Sequence, residues 1–371
     1  MLNRRIAAMT ALAVGIALFA AGCGSDSDSS SGGESITAVA TTTQVADLVR
    51  QVGGDEVEVV QILQPNTDPH EYEPRPSDVE ALADADLVFR SGGHLDEWTD
   101  QLVEDSGSSA EVVDLGSGLP VGLDGEEHSH DEEVHSEDEH SGEKHAGEGE
   151  KHAGEGGTHA GDEHSGEKGH SEGEHEGEHE GEHEGEEVDP HWWHDPVNAI
   201  TATAAIESAL VSAEPAAATT FENNAAAYTS ELEALDRTIA QCFESIPDEQ
   251  RKMVTDHDAF GYLANRYDIN VVGTVIPALT TQAEPSAGDL ADLEKTIKEQ
   301  DVKAVFPESS VPSKLSEAVA ADTGATTEYV LYGDTLGAEG SDGETYVQMM
   351  QANADNLMLG MTGGEKGCDF S

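Results

Sequence analysis

Positive charge is scarce in this sequence. Its 371 residues hold 17 lysines and arginines against 77 aspartates and glutamates, a formal net charge of −60 with histidine neutral. Such a chain is repelled by nucleic acid and by anionic membrane surfaces, and it attracts cations. Aromatic residues are also few, at 5% of the chain. Cysteine occurs three times, so at most one internal disulfide can form. The length suffices for two lobes of ordinary domain size.

The charge is unevenly spread. Residues 124–187 contain 25 acidic residues and 3 lysines, a net −22, together with 12 of the 17 histidines. The segment runs into repeats such as "GEHEGEHEGEHEG" and has nothing from which to build an apolar core. It is expected to be disordered without metal and to bind several cations weakly, without a preorganised geometry. The alternative is a solvated acidic linker. The remaining −38 is equally consistent with solubility or salt adaptation.

The N-terminus reads as a processing signal. Arg4 and Arg5 precede "IAAMTALAVGIALFAAGC", a stretch too short for a confident membrane span. Its end, "AAGC", resembles a bacterial lipobox, with Ala20 where leucine is commoner and Cys23 as the lipidated residue. Gly24 to Gly33 then reads as a flexible tether. With Cys23 lipidated, Cys242 and Cys368 remain, and an extracytoplasmic chain favours pairing them over leaving two buried thiols.

Downstream, short apolar strands alternate with helices. Strands are expected at 36–43, 57–63, 86–92 and 111–116, and helices around 44–54, 77–85 (capped by Ser77) and 95–104. After the His-rich tract, "DPHWWHDP" (residues 189–196) restores aromatic character and opens a helix, with Asp195 as N-cap and Pro196 in the first turn. A run of about 29 residues from Ala218 has helical periodicity and could bridge two lobes. The alternation then restarts: strands at 252–255, 270–276, 302–308 and 326–330, and a last helix over about 344–361. The expected fold is α/β, with two lobes that each carry a parallel sheet flanked by helices, one long helix joining them, and a cleft between them. The expected boundaries are a signal peptide at 1–22, a tether at 23–35, an N-terminal lobe at 36–216 with the insertion at 123–188, the long helix at 217–246 and a C-terminal lobe at 247–371.

Five histidines lie outside the tract: His70, His94, His191, His194 and His257. His70, His191 and His257 sit where a strand or loop gives way to a helix, the place where ligands gather in parallel α/β sheets. Asp334, in "LYGDTLG", is the natural fourth member. Three imidazoles and one carboxylate suit Zn2+, whereas a carboxylate in place of His257 would favour a harder ion such as manganese.

"DPHEYEPRPSD", "DPHWWHDP", "DHDAFGYLANRY", "EPSAGDL" and "YGDTLG" occur in the order found in metal-binding lipoproteins of ABC importers. Over about residues 36–361 the chain resembles the zinc-specific branch of the cluster A-I solute-binding proteins. Members of that branch often carry an acidic, His-rich insertion. The resemblance implies two α/β lobes on one rigid helix, with His70, His191, His257 and Asp334 as ligands. In the pattern D-P-H-x-W-x-D-P, His191 takes the ligand position and Trp193 the tryptophan position. His194 departs from the pattern, which usually has an apolar residue there. It is expected to be exposed at the helix start, or else to be an alternate ligand. Glu308, in "FPESS", reads equally as an acceptor that orients a histidine or as a helix cap.

The function implied is an extracytoplasmic receptor, lipid-anchored at the cell membrane and monomeric, which captures zinc and passes it to an ABC permease. A manganese or iron receptor of the same family is the alternative, followed by a surface metal-storage protein or adhesin. Four protein ligands would close the coordination shell, so a zinc hydrolase is not expected.

Overall fold

The computed structural model describes residues 35–120, 122–123 and 188–370. The signal segment, Cys23, the tether and all but the ends of the His-rich insertion lie outside the described residues.

The first lobe is built on four parallel strands: Ile36–Ala40 (β1), Val57–Gln61 (β2), Leu87–Arg90 (β3) and Glu111–Asp114 (β4). Their order is β2-β1-β3-β4, so β1 sits at the centre. Ile36, Ala38 and Ala40 point into one apolar cluster and Val39 into another, the period-2 alternation of a strand covered on both faces. Helices Thr43–Gly53 (α1), Pro76–Ala83 (α2) and Trp98–Ser106 (α3) provide that cover. Helix α1 begins where the Thr42 hydroxyl accepts the amide of Val45. Ser77 does not cap α2. The helix starts two residues earlier, with Arg75 as the cap, Pro76 at the first position and the Asp78 carboxylate accepting the Arg75 amide at 2.7 Å.

After a single 3-10 turn at Trp192–His194 the chain enters Pro196–Ala213 (α4) and then the 26-residue helix Ala218–Phe243 (α5). The Asp195 side chain caps α4 by accepting the Val197 amide at 2.8 Å. Helix α5 buries Phe221, Ala225, Tyr228, Leu232, Leu235, Ile239 and Phe243, one stripe at spacings of three and four.

The second lobe contains Lys252–Thr255 (β5), Gly261–Tyr267 (α6), Asn270–Thr274 (β6), Ala287–Glu299 (α7), Lys314–Thr323 (α8) and Tyr346–Thr362 (α9). Strands β5 and β6 are parallel. The segments expected as strands at 302–308 and 326–330 are extended but joined only by single parallel bridges, Thr255 to Phe306, Ala304 to Thr326 and Glu308 to Leu331. Pro307 has no N–H to donate, which interrupts the ladder there. The spatial order is β6-β5-(304–308)-(326–331), matching the β2-β1-β3-β4 order of the first lobe. Helix α5 touches α1 and α4 on one side and α6 and α9 on the other, so one apolar core runs through both lobes along it.

Cys242, near the end of α5, is disulfide-bonded to Cys368 in the C-terminal tail across a sequence separation of 126. In the chain-entropy account a loop of that length contributes about 4–5 kcal/mol. Substituting both cysteines by serine is therefore expected to lower the unfolding midpoint in denaturant with metal binding retained. Unchanged unfolding would show the bridge to be dispensable.

Candidate metal centre

Both D-P-H tripeptides fold the same way. Asp68 accepts the backbone amide of His70 at 2.9 Å, and Asp189 accepts that of His191 at 2.9 Å. In each case the aspartate turns the chain sharply and fixes the direction of the imidazole two residues on. His70 leaves the loop after β2, and His191 precedes the 3-10 turn. His257 follows β5 and Asp334 follows the extended segment ending near Leu331. All four therefore lie beyond the carboxyl ends of parallel strands, two from each lobe.

The four side chains converge, with one potential ligand atom from each within 4.8 Å of the others. Nε2 of His191 is 3.4 Å from Nε2 of His70 and 3.4 Å from Nε2 of His257. Asp334 carboxylate oxygens lie 3.3 Å from His191 Nε2, 3.6 Å from His257 Nε2 and 3.8 Å from His70 Nε2. Tetrahedral bonds of about 2.0–2.2 Å would put the ligand atoms about 3.3–3.6 Å apart. The cluster has nearly those dimensions. His191, His257 and Asp334 are fully buried, while His70 is the one member that keeps some exposure.

The hydrogen bonds behind the ligands set which atoms face the centre. His191 Nδ1 lies 2.7 Å from Asp189 Oδ1, and His257 Nδ1 lies 2.8 Å from Glu308 Oε1. A carboxylate cannot donate, so each Nδ1 carries the proton and each Nε2 turns a lone pair inward. Neither oxygen of Asp334 receives a hydrogen bond. Three imidazole nitrogens and a carboxylate that all point electron pairs at one small space repel one another unless a cation or protons sit there. Burial opposes charge on His191, but the carboxylates of Asp189 and Asp334 outweigh it and push its pKa up to about 10. Glu308 and Asp334 similarly overcome burial at His257, pushing it up to about 9. Burial dominates at His70 and lowers it to about 3. The imidazoles of His257 and His191 hold Asp334 well below the usual carboxylate range despite its burial.

Glu308 is thus an orienting acceptor and not a cap of α8. Asp189 plays the same part for His191 and was not singled out in the sequence, although its repeat of the D-P-H pattern at Asp68 marks it. Gly333 makes room for Glu308: a Cβ there would lie 2.0 Å from Glu308 Oε2. Asp189→Asn and Glu308→Gln are each expected to weaken metal binding by roughly 10- to 100-fold, measured against a competing chelator. Unchanged affinity in both would mean that the imidazoles need no orienting partner.

His194 is buried, where exposure was expected, and it stays out of the cluster. The 3-10 turn directs its ring inward to stack on Phe260, with centroids 4.5 Å apart, and neither ring nitrogen makes a well-formed hydrogen bond, although the Gly333 backbone lies close by. Burial lowers its pKa to about 3, so it is a neutral aromatic spacer between the two lobes' ligand-bearing turns. His194→Phe is expected to raise stability by about 1–2 kcal/mol, seen as a higher thermal midpoint, by removing unsatisfied polar atoms. A lower midpoint would point to a hidden polar partner. His94 is also apart from the cluster, on the surface and paired with Glu97.

The family described as "ZnuA: Zinc-uptake complex component A periplasmic" matches residues 38–359. The manganese-binding lipoprotein MntA of Halalkalibacterium halodurans is 29% identical over 351 residues, covering 94% of this chain and 96% of that protein. The manganese ABC transporter substrate-binding lipoprotein PsaA of Streptococcus pneumoniae is 25% identical and covers 96% of this chain and 99% of its own. Among solved structures, the periplasmic zinc binding protein TroA of Treponema pallidum superposes with a TM-score of 0.66 at 25% identity, covering 88% of this chain and 99% of that one. A match over most of the chain, together with the two-lobed fold, places this protein in the ZnuA family of metal-binding receptors for ABC importers, which are binding proteins and not enzymes.

Proposed function

We propose that this chain captures Zn2+ outside the cytoplasm, holds it with His70, His191, His257 and Asp334, and delivers it to an ABC permease. The observation that carries the zinc reading is the donor set: three imidazoles and one carboxylate, with a candidate ligand atom of each within 4.8 Å of the others. Nitrogen-rich sites suit zinc, and oxygen-rich ones suit manganese. The printed names of several relatives favour manganese instead, and that remains the second reading. Metal analysis of protein isolated without added metal, followed by competition between zinc and manganese, tests it. Manganese in the isolated protein, not displaced by zinc, would reverse the assignment.

The anchor, the tether and the insertion lie almost wholly outside the described residues. Cys23 would carry the lipid after removal of residues 1–22, residues 23–35 would tether a monomeric receptor to the membrane, and the histidines of 124–187 would hold zinc weakly near the cleft. The lobes would divide at the 217–246 helix. Relatives named as lipoproteins support the anchor.

A further inference from the structure

Outside the cleft one histidine is equipped like the two buried ligands. His94 Nδ1 lies against Glu97 Oε1, as His191 Nδ1 lies against Asp189 and His257 Nδ1 against Glu308. A carboxylate on Nδ1 keeps the proton there, holds the ring and leaves Nε2 as a basic lone pair. Most surface histidines have no such partner to give them one orientation.

The backbone has been bent to put that ring where it is. Gly92, Gly93 and His94 all have positive φ, at 80°, 62° and 67°. The two glycines adopt this region freely, but a histidine there is strained. The bend also brings the loop hard against the segment that leads into His191: a Cβ on Gly93 would lie 2.9 Å from Pro190 Cα.

The bend places His94 on a cavity of about 290 Å³ that His70 also lines, along with Glu97, Trp98, Val188 and Gln282. His70 is the only ligand of the cleft with any exposure. The cavity therefore has an exposed imidazole–carboxylate pair, 70% and 67% exposed, and the solvent-facing cleft ligand in its walls.

We propose that His94 Nε2, oriented by Glu97, is a landing ligand for a hydrated divalent cation on its way to His70. This rests on the receptor reading given above. One protein nitrogen and a nearby carboxylate, with water filling the other positions, hold a cation only briefly. Such a site raises the rate of capture and leaves the final affinity to the cleft. An on-path stop speeds entry and exit by the same factor, so its removal slows both and leaves the equilibrium where it was.

The test is stopped-flow loading of the full chain with Zn2+, read by tryptophan fluorescence, with release measured into excess chelator. The variants are His94→Asn, which accepts positive φ, and Glu97→Gln, which removes the charge. Both are expected to slow loading and release together, by up to about tenfold, with Kd unchanged. Wild-type rates in both variants would overturn the proposal while leaving the receptor reading intact. Weaker Kd at an unchanged loading rate would also overturn it, because His94 would then stabilise the bound state instead of the approach. A wild-type chain that shows no tight zinc step would overturn the receptor reading and this proposal with it.

Discussion

Replacing His257 by alanine is expected to weaken zinc binding by about 100- to 1,000-fold. Structural zinc sites with four ligands bind with about 10–16 kcal/mol, so one ligand accounts for roughly 2.5–4 kcal/mol. The loss should fall toward the upper end, because the substitution also removes the Nδ1–H that the buried Glu308 Oε1 accepts, leaving that oxygen only the backbone amide of residue 257. Aspartate at the same position is the more informative variant. It restores a ligand but changes the set from three nitrogens and one oxygen to two of each, which should move preference from zinc toward manganese. Chelator competition with each metal measures both effects. Tight zinc binding that survives His257→Ala would show that the second lobe supplies its nitrogen from elsewhere and would sink the ligand assignment.

Zinc affinity is expected to fall about a hundredfold for every pH unit below about 9. His191 and His257, with pKa values pushed up to about 10 and about 9, each hold a second proton on the ring at neutral pH in the metal-free protein. The metal must displace both of these protons. His70, lowered to about 3, is already neutral and releases none. Two protons released per ion give two powers of ten per pH unit. The stability of the metal-free protein should slope the other way. A pKa raised by folding contributes stability that is fully present below the unfolded value of about 6.5 and is lost as pH rises through the folded value, here between about 9 and about 10. Alkaline solution thus loosens the empty protein while it strengthens the loaded one. Calorimetry in buffers of different ionisation heat counts the protons released in the tight step. A count near zero at pH 7 would mean that the cleft waits empty of charge, contrary to the carboxylate contacts of its histidines.

Much of this was legible in the sequence because the relevant signals are local. Alternation of short apolar strands with helices follows from a sheet covered on both faces, and it located β1 to β6 to within a few residues. That His70, His191, His257 and Asp334 would come together was legible because each lies in a loop or turn that the alternating topology sends to one edge. What escaped depended on packing. The inward turn of His194 follows from a 3-10 turn and a stack on Phe260, 66 residues away in sequence and in the other lobe, and no pattern around His194 announces it. The weak ladders at 302–308 and 326–331 follow from Pro307, whose effect on a strand depends on which neighbour it faces. Asp189 could have been found from the repeated D-P-H, since Asp68 and Asp189 make the same backbone bond.

The Cys242–Cys368 bridge has a mechanical consequence. It closes a covalent ring that encloses nearly the whole second lobe, and its two ends leave the ring almost at one point, with Cα atoms 5.5 Å apart. A pull applied to the two ends of the chain therefore passes through the bridge and bypasses everything between. The segment so shielded, a sequence separation of 126, would otherwise pay out roughly 420–450 Å of contour length. Under tension the first lobe and α5 can be drawn out while the segments that lead into His257 and Asp334 bear no load, and half of the candidate cluster stays in folded structure for as long as the bridge is intact.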